Sequence, residues 1–388
     1  MNFVASRPQQ KTGGICLWEI DSQDLSNGSR FKAYLVEHDL SEYFEAEVVR
    51  DGQELATQFS LTAKAITQWT PECDTLQLAA RMGLATVQRH ALETEILVAM
   101  LASPVRFQFP SFDELDSSVR MRCNIVEAAR KTWLTFAAYQ AERPTEYWHY
   151  DDDRGFLIRP GKCLIEALRA ATQPGETGTA YSFSCYRATE YVIALAIAEE
   201  ALHCNPKLFA QLQHRAETVA IKSSSFHEVF MREYGSREHP LPENFYVPGD
   251  RVWFRNPDFH TSDAVGYEGS WVFYLGGGLF TDFWKRNRTF TLRSKLLEIF
   301  HWRFAATRNA DGEVTIDESK VLAGVKATLE CPEECDAIVS RMFRLQDPRG
   351  VYADGGCIDA TREYPRWVRP ETCDIVLPTL QPSQSNVQ

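Results

Sequence analysis

The sequence predicts an α+β fold in which a helix that begins at a cysteine faces an antiparallel sheet. An extended stretch at residues 180–184 runs into an apolar helical pattern that begins near Cys185. Stretches rich in aromatic and β-branched residues follow much later, at 250–255 and 270–275, with turn residues between them. Helices early in the chain and neighbouring strands later are typical of α+β domains, whereas a parallel sheet needs strictly alternating elements.

The first part of the chain is predicted to be mainly helical. Apolar residues recur at helical spacing over residues 76–100, which predicts one helix there. Residues 105–109 alternate between apolar and polar side chains as a strand does. Ser111 and Glu114 match the S/T-x-x-E pattern of a capping box, and we expect a helix from there to about residue 139.

The second part combines helices, turns and strands. A helix is expected near residues 162–171, then a loop at 173–179, and then the helix of Cys185, which Asn205-Pro206 ends. Strands are expected at 250–255 and 270–275, followed by a turn of three glycines at 276–278 and a third strand within 280–290. A last helix is expected at 292–304.

Composition excludes several classes of protein. The net charge of the 388-residue chain is −12, whereas nucleic-acid binders carry clustered basic charge, so we expect no nucleic-acid partner. No run approaches the ~18 apolar residues of a membrane helix, and the first residues lack the charged and apolar regions of a signal peptide. Ten cysteines in so long a chain do not indicate a disulfide scaffold. We therefore expect a cytoplasmic protein without a membrane partner.

Neither a metal nor a cofactor is expected. Cys331 and Cys335 form one short-spaced pair, but Cys357 and Cys373 are far apart, whereas zinc sites usually combine two short-spaced pairs. The three glycines at 276–278 lack the spacing of a phosphate-binding loop.

Cys185 is the candidate nucleophile. A thiol in the first turn of a helix lies near unpaired backbone N–H groups and the positive end of the helix dipole. Such a setting can lower a thiol pKa from ~8.5 to about 3.5–7.5. The alternative is a small apolar side chain that only fills the helix core.

Several segments, in this order and spacing, resemble one enzyme family. They are Ser-Pro-Val-Arg-Phe at 103–107, Arg-Cys-Asn-Ile-Val-Glu-Ala-Ala at 122–129, Thr-Glu-Tyr-Trp at 145–148, Ala-Tyr-Ser-Phe-Ser-Cys-Tyr-Arg-Ala-Thr at 180–189, Gly-Asp at 249–250 and Phe-Arg-Asn-Pro-Asp-Phe at 254–259. Together they resemble the bacterial spore-coat type of protein-glutamine gamma-glutamyltransferase, a small transglutaminase with a papain-like core. The resemblance predicts a catalytic domain at 94–343, an N-terminal extension at 1–93, and a C-terminal extension at 344–388 with a disordered tail.

The resemblance implies the chemistry. The thiolate of Cys185 would attack a glutamine carboxamide, ammonia would leave, and an amine would resolve the thioester. The partners would be a glutamine- or amide-bearing acyl donor and a primary-amine acceptor.

The groups that assist the thiol differ from those of the family. The family has an acidic residue directly before its cysteine, where this chain has Ser184. It has a glutamate at the start of a later strand, where this chain has Ser270, and a histidine further on, where this chain has Asp282. Glu268 lies two residues from Ser270 and so on the same strand face, but about 6.6 Å away along it. We expect Glu268, Asp282 and His260 as the candidates for acid–base or orienting roles.

These replacements leave alternatives open. The chain could be a related cysteine acyltransferase, a deamidase or an amide-forming enzyme with a non-protein substrate. It could also be a non-catalytic relative that acts as a binding protein.

Overall fold

The computed structural model describes residues 13–19, 26–51, 54–136, 141–175, 178–221, 223–310, 312–347 and 355–378. Helices and mainly antiparallel sheets are mixed in it, so the α+β class is confirmed at that level. Within these ranges, no helix combines the length and the apolarity needed to cross a membrane. The tail that was predicted to be disordered lies outside the described residues.

A four-stranded sheet with helices forms the N-terminal part. The strands are β1 (Gly14–Glu19), β2 (Phe44–Asp51), β3 (Glu54–Leu61) and β4 (Arg106–Phe109), and the helices are α1 (Ser26–Glu37), α2 (Ala63–Trp69), α3 (Leu78–Met82) and α4 (Arg89–Leu101). The strand order is β2-β3-β1-β4. Ile15 lies opposite Phe59 in the antiparallel β3 and opposite Phe107 in the parallel β4.

The single helix predicted over residues 76–100 is wrong. Two helices, α3 and α4, occupy this stretch, because Gly83 adopts a left-handed conformation with φ of 69° at the end of α3. A glycine takes that conformation without the steric cost of a side chain, and it commonly ends a helix.

The capping prediction is confirmed at the start of α5 (Phe112–Lys131), where the Ser111 hydroxyl accepts a hydrogen bond from the Glu114 N–H at 3.1 Å. The predicted end near residue 139 is wrong, since the helix stops at residue 131. The chain then runs extended: the Leu134 N–H donates to the Phe283 carbonyl at 2.8 Å, and the Thr135 N–H donates to the Tyr181 carbonyl at 3.0 Å. Backbone hydrogen bonds to segments far away in the sequence therefore hold residues 134–135 extended, although the local pattern favours a helix.

The remaining elements follow in chain order. They are β5 (Trp148–Asp151), β6 (Gly155–Ile158), α6 (Leu164–Thr172), α7 (Cys185–Cys204), α8 (Pro206–Ala216), α9 (Ser223–Phe230), β7 (Met231–Tyr234), β8 (Arg251–Arg255), β9 (Gly269–Phe273), β10 (Leu279–Thr281), β11 (Thr289–Thr291), α10 (Leu292–Ala305), β12 (Ala306–Arg308), β13 (Val314–Ile316), α11 (Glu318–Leu329), α12 (Pro332–Met342) and β14 (Arg362–Pro365). The helices α6, α7 and α10 and the strands β4, β8 and β9 confirm predicted elements. The predicted third strand is instead a short antiparallel pair of β10 and β11.

A second four-stranded sheet has the order β7-β14-β8-β9, and every pairing in it is antiparallel. Its strand β14 comes from the segment predicted as a C-terminal extension. Likewise, β1 of the predicted N-terminal extension pairs with β4. The division at residues 93 and 343 stays a prediction, but both ends share sheets with the middle of the chain.

A buried ion pair joins α5 to the beginning of β8. The Arg122 guanidinium lies 2.8 Å from the Asp250 carboxylate, and neither side chain is more than 1% exposed. Asp250 also accepts hydrogen bonds from the Val247 N–H at 2.7 Å and from the Tyr234 hydroxyl. The motif segments at 122–129 and 249–250 therefore meet inside the protein. The ion pair and the hydrogen bonds compensate the cost of burying the Asp250 carboxylate.

Glu95 of α4 lies below the three-glycine turn between β9 and β10. Its carboxylate is fully buried and accepts hydrogen bonds from the Gly277 N–H at 2.9 Å and from the Tyr274 hydroxyl at 3.1 Å. A Cβ on Gly276 would lie 2.4 Å from the Glu95 carboxylate, and its φ of 80° also disfavours other residues, so a larger residue there would be strained and would displace the carboxylate. Burial raises the pKa of Glu95 to about 7, although both hydrogen bonds oppose the shift.

Candidate active site

Cys185 is the first residue of α7, and its side chain is half-buried. The preceding Ser184 caps the helix, because its hydroxyl accepts a hydrogen bond from the Arg187 N–H at 3.2 Å. The helix packs against β9, where the ring of Tyr186 meets that of Trp271 edge-on at 5.3 Å. The capping demand of α7 explains why a serine suits the position before the cysteine.

The electrostatic setting of the thiol combines opposing effects. Burial raises the pKa of Cys185, whereas hydrogen bonds from the backbone N–H groups of Trp271 and Tyr186 lower it. The Glu268 charge raises the pKa further, and the Arg251 charge lowers it. The net direction is upward, so the helix start does not by itself give the low pKa that the sequence suggested.

Glu268 directly precedes β9, and its side chain is exposed. Its backbone carbonyl accepts a hydrogen bond from the Asn256 N–H at 3.0 Å, which extends the pairing of β8 with β9. The carboxylate lies near enough to Cys185 for its charge to disfavour the thiolate. Of the three candidate partners, Glu268 is the one that a described interaction connects to the thiol.

Asp282 follows β10 and is half-buried. Its carboxylate accepts a hydrogen bond from the Trp284 N–H at 3.2 Å. Burial raises the pKa of Asp282, and the nearby Lys295 charge opposes this. The next residue, Phe283, pairs with the strand-like segment that lies beside residues 181–183. Asp282 thus lies on a segment near the approach to Cys185, and its role stays a prediction.

His260 lies in an exposed turn beyond β8. Its ring contacts that of Phe259 edge-on, with the ring centroids 5.7 Å apart. Within the described interactions, none joins this imidazole to Cys185, and its role stays a prediction.

The buried arginine beside the thiol was not expected from the sequence. Arg251, only 1% exposed, lies over the rings of Tyr186 at 4.3 Å and Trp271 at 4.1 Å. Its guanidinium donates to the Glu363 carboxylate at 2.7 Å, and the other oxygen of that carboxylate is 3.1 Å from the His227 ring. No local pattern could have shown this, because Glu363 belongs to β14 and reaches the site only through sheet pairing.

These contacts also shift the pKa values of His227 and Glu363. The hydrogen bond to Glu363 raises the pKa of His227. Burial works against ionisation of Glu363, but hydrogen bonding by His227 and the Arg251 charge keep its pKa below the usual value. His227 borders a cavity of about 500 Å³ that Arg232, Glu233 and Arg366 also line. The charged group of Arg251, Glu363 and His227 therefore extends from the surroundings of the thiol to an open surface cleft.

Exposed aromatic side chains lie beside the segment that leads to Cys185. Phe136 is 44% exposed and Trp284 is 37% exposed, and their rings meet at 5.9 Å. Gly266 approaches Phe136 so closely that a Cβ there would lie 3.0 Å from the ring. The two rings form an exposed apolar patch.

Comparison with known proteins finds related sequences. The model of the protein-glutamine gamma-glutamyltransferase family matches residues 74–372. The protein-glutamine gamma-glutamyltransferase of Halalkalibacterium halodurans is 29% identical over 217 residues, 53% of this chain and 69% of that protein. The protein of the same name from Bacillus subtilis is 25% identical over 189 residues, 47% of this chain and 69% of that protein. A transglutaminase structure from Geobacillus stearothermophilus, without its C-terminal extension, shows 21% identity and a TM-score of 0.38, with 56% of this chain and 98% of that chain covered.

Proposed function

The chain belongs to the protein-glutamine gamma-glutamyltransferase family, and we propose that it transfers the γ-glutamyl group of a glutamine side chain to a primary amine through Cys185. The observation that carries this proposal is the thiol at the first residue of α7, with the N–H groups of Trp271 and Tyr186 directed at its sulfur. A helix start that faces an antiparallel sheet also supports a papain-like core. The acyl donor is a glutamine-bearing protein or peptide, and the acceptor is an amine.

The reaction has two acyl-transfer steps. In the first step, the Cys185 sulfur bonds to the carboxamide carbon, the carbonyl oxygen becomes negatively charged, and the C–N bond breaks to release ammonia. In the second step, the amine nitrogen attacks the thioester and the C–S bond breaks, which restores the thiol. Backbone N–H groups near the sulfur suit the stabilisation of the developing oxyanion.

Glu268 is proposed as the acid–base group. It takes the thiol proton, gives it to the departing ammonia, then takes a proton from the attacking amine and returns it to the departing sulfur. The raised pKa of Cys185 supports this role, because a thiol that stays protonated needs a base during attack. Asp282 and His260 are proposed as secondary groups, which orient the donor amide or exchange protons with solvent.

Arg251 is proposed as a positioning residue. Its buried guanidinium holds Tyr186 and Trp271, the residues whose N–H groups reach the sulfur. Glu363 and Thr189 fix it by hydrogen bonds at 2.7 and 2.8 Å. The Phe136 and Trp284 rings are proposed as the apolar surface that receives the glutamine-bearing chain.

The test measures incorporation of a fluorescent primary amine into a glutamine-bearing protein, together with ammonia release. We expect Cys185→Ala to abolish both. Cys204→Ala is the matched control, because Cys204 is half-buried at the other end of the same helix, and it should retain both activities. Unchanged incorporation in Cys185→Ala would rule out this thiol as the nucleophile.

The same assay separates transfer from hydrolysis. Because Glu268 is exposed, water can reach the site and compete with the amine for the thioester. Ammonia release without amine incorporation, across a range of amine concentrations, would identify the chain as a deamidase instead.

A further inference from the structure

Three side chains far from Cys185 in sequence form a cluster suited to a metal ion. They are His38, which directly follows α1, and His90 and Glu93 in the first turns of α4. One ligand atom from each of the three lies within 4.8 Å of the other two. His90 and Glu93 are three residues apart in a helix, so their side chains lie on one face. From this cluster we propose a binding site for a divalent transition-metal ion, with zinc as the probe.

The hydrogen bonds around His38 fix which nitrogen can bind a metal. The Thr94 hydroxyl donates its proton to the His90 carbonyl at 2.9 Å. Its oxygen is therefore the acceptor in the 2.9 Å contact with His38 Nδ1, so Nδ1 carries the hydrogen. In the neutral ring, Nε2 then presents its lone pair. A metal-binding histidine is typically held in this way, with its other nitrogen donating to a neighbouring oxygen.

Packing holds the His38 ring in place before any ion arrives. The side chain is 4% exposed, and Tyr34 contacts its ring edge-on at 4.7 Å. The His90 ring stacks on it at 4.4 Å with an angle of 11° between the planes. His90 itself is exposed. The site thus joins one fixed ligand to one that can still adjust.

Binding needs the ligand atoms to draw closer together. Zinc bonds to nitrogen of about 2.1 Å in a tetrahedron place two ligand nitrogens roughly 3.4 Å apart. The ligand atoms of the cluster lie within 4.8 Å of one another, and the exposed His90 ring has room to rotate toward the ion. Two histidines and one carboxylate make three protein ligands, so a fourth position stays open to water.

Arg89 is a neighbouring positive charge that opposes a cation. Its guanidinium lies 3.2 Å from one oxygen of Glu93, but it also lies 2.8 Å from Glu127. When Glu93 turns toward the ion, Glu127 can keep the guanidinium. The bound ion would link the end of α1 to the start of α4, and so fasten the N-terminal sheet region to the helices behind it.

The experiment titrates the full chain with ZnCl₂ or NiCl₂ in a calorimeter and follows the thermal midpoint. We expect one equivalent to bind and raise the midpoint. The variant His90→Asn removes an exposed ligand and should weaken binding at least ~10-fold, and Thr94→Val should weaken it about 10–100-fold by freeing the His38 tautomer. His239→Asn, an exposed histidine elsewhere, is the matched control and should bind as the unaltered chain does.

Two results would overturn the site. One is the absence of stoichiometric binding by the unaltered chain. The other is binding that survives His90→Asn but disappears after thiol alkylation, which would assign the ion to cysteines. Because none of these readouts uses acyl transfer, the outcome is independent of the proposed function.

Discussion

Glu95 makes the stability of this protein depend on pH in a direction opposite to that of most carboxylates. Burial holds its folded pKa at about 7, against an ordinary value of 4.5. A carboxyl whose pKa is raised on folding contributes stability that is fully present below the unfolded pKa and is lost as pH rises through the folded pKa. The affected window therefore runs from about pH 4.5 to just above pH 7.

The magnitude follows from the same two values. Each tenfold difference in proton affinity corresponds to about 1.4 kcal/mol, so ionising Glu95 costs the folded protein about 3 kcal/mol. Glu95→Gln keeps an oxygen that accepts the Gly277 N–H but removes the ionisation. We expect the variant to gain about 3 kcal/mol relative to the unaltered chain between about pH 4 and pH 8.

Urea denaturation at several pH values measures this difference. Any constant offset from the amide group cancels, because only the change with pH is compared. Glu146→Gln is the control, since its side chain is 70% exposed, and its difference from the unaltered chain should vary by less than about 0.5 kcal/mol. A pH-dependent change below about 1 kcal/mol for Glu95→Gln would refute the reasoning.

Three further predictions concern the site and its surroundings. Glu268→Gln should speed alkylation of Cys185 about two- to five-fold, because it removes an exposed negative charge that disfavours the thiolate. The same variant should slow amine incorporation by about 100-fold or more, and parallel changes in both rates would contradict the role of Glu268 as a base. Asp250→Ala should lower the free energy of unfolding by about 3–5 kcal/mol, because its buried arginine partner is left unpaired, and a loss below about 1 kcal/mol in urea would contradict this. The pKa of His227 is raised by Glu363, so their pairing stabilises the fold below about pH 6.5 and fades as pH rises through the folded pKa. His227→Gln should therefore cost up to about 1 kcal/mol near pH 6 and nothing resolvable near pH 9, and an equal cost at both would exclude the pairing.

The family and much of the second half of the fold could be predicted from local sequence. Motif order predicted the family, and the family model confirms it over residues 74–372. The helix of Cys185 was predictable because Ser184 caps its start and Asn205-Pro206 ends it. Strand alternation led us to expect Glu268 on the face of Ser270, and its charge acts on the thiol, but its acid–base role stays a prediction.

The errors have physical causes that differ. The break at Gly83 was visible in the sequence, since a glycine within a helical pattern often ends it. The hairpin of β2 and β3 was also signalled, by Asp51-Gly52 between alternating stretches. By contrast, the early end of α5 depends on pairing with residues 181 and 283, which no local pattern contains. The Arg251–Glu363 contact also joins residues far apart in the sequence, so no local pattern predicts it.

The position of β14 determines when the Arg251–Glu363 contact can form during synthesis. This strand lies between β7 and β8 but is translated after both of them. At ~5–20 residues per second, roughly 5–20 s separate the end of β9 from the end of β14. During that interval Cys185 has been translated, but Glu363 is not yet present to hold Arg251. Under the proposed function, a nascent chain would carry the reactive thiol without its complete support, and cross-linking would begin only after β14 has been synthesised and has paired with β7 and β8.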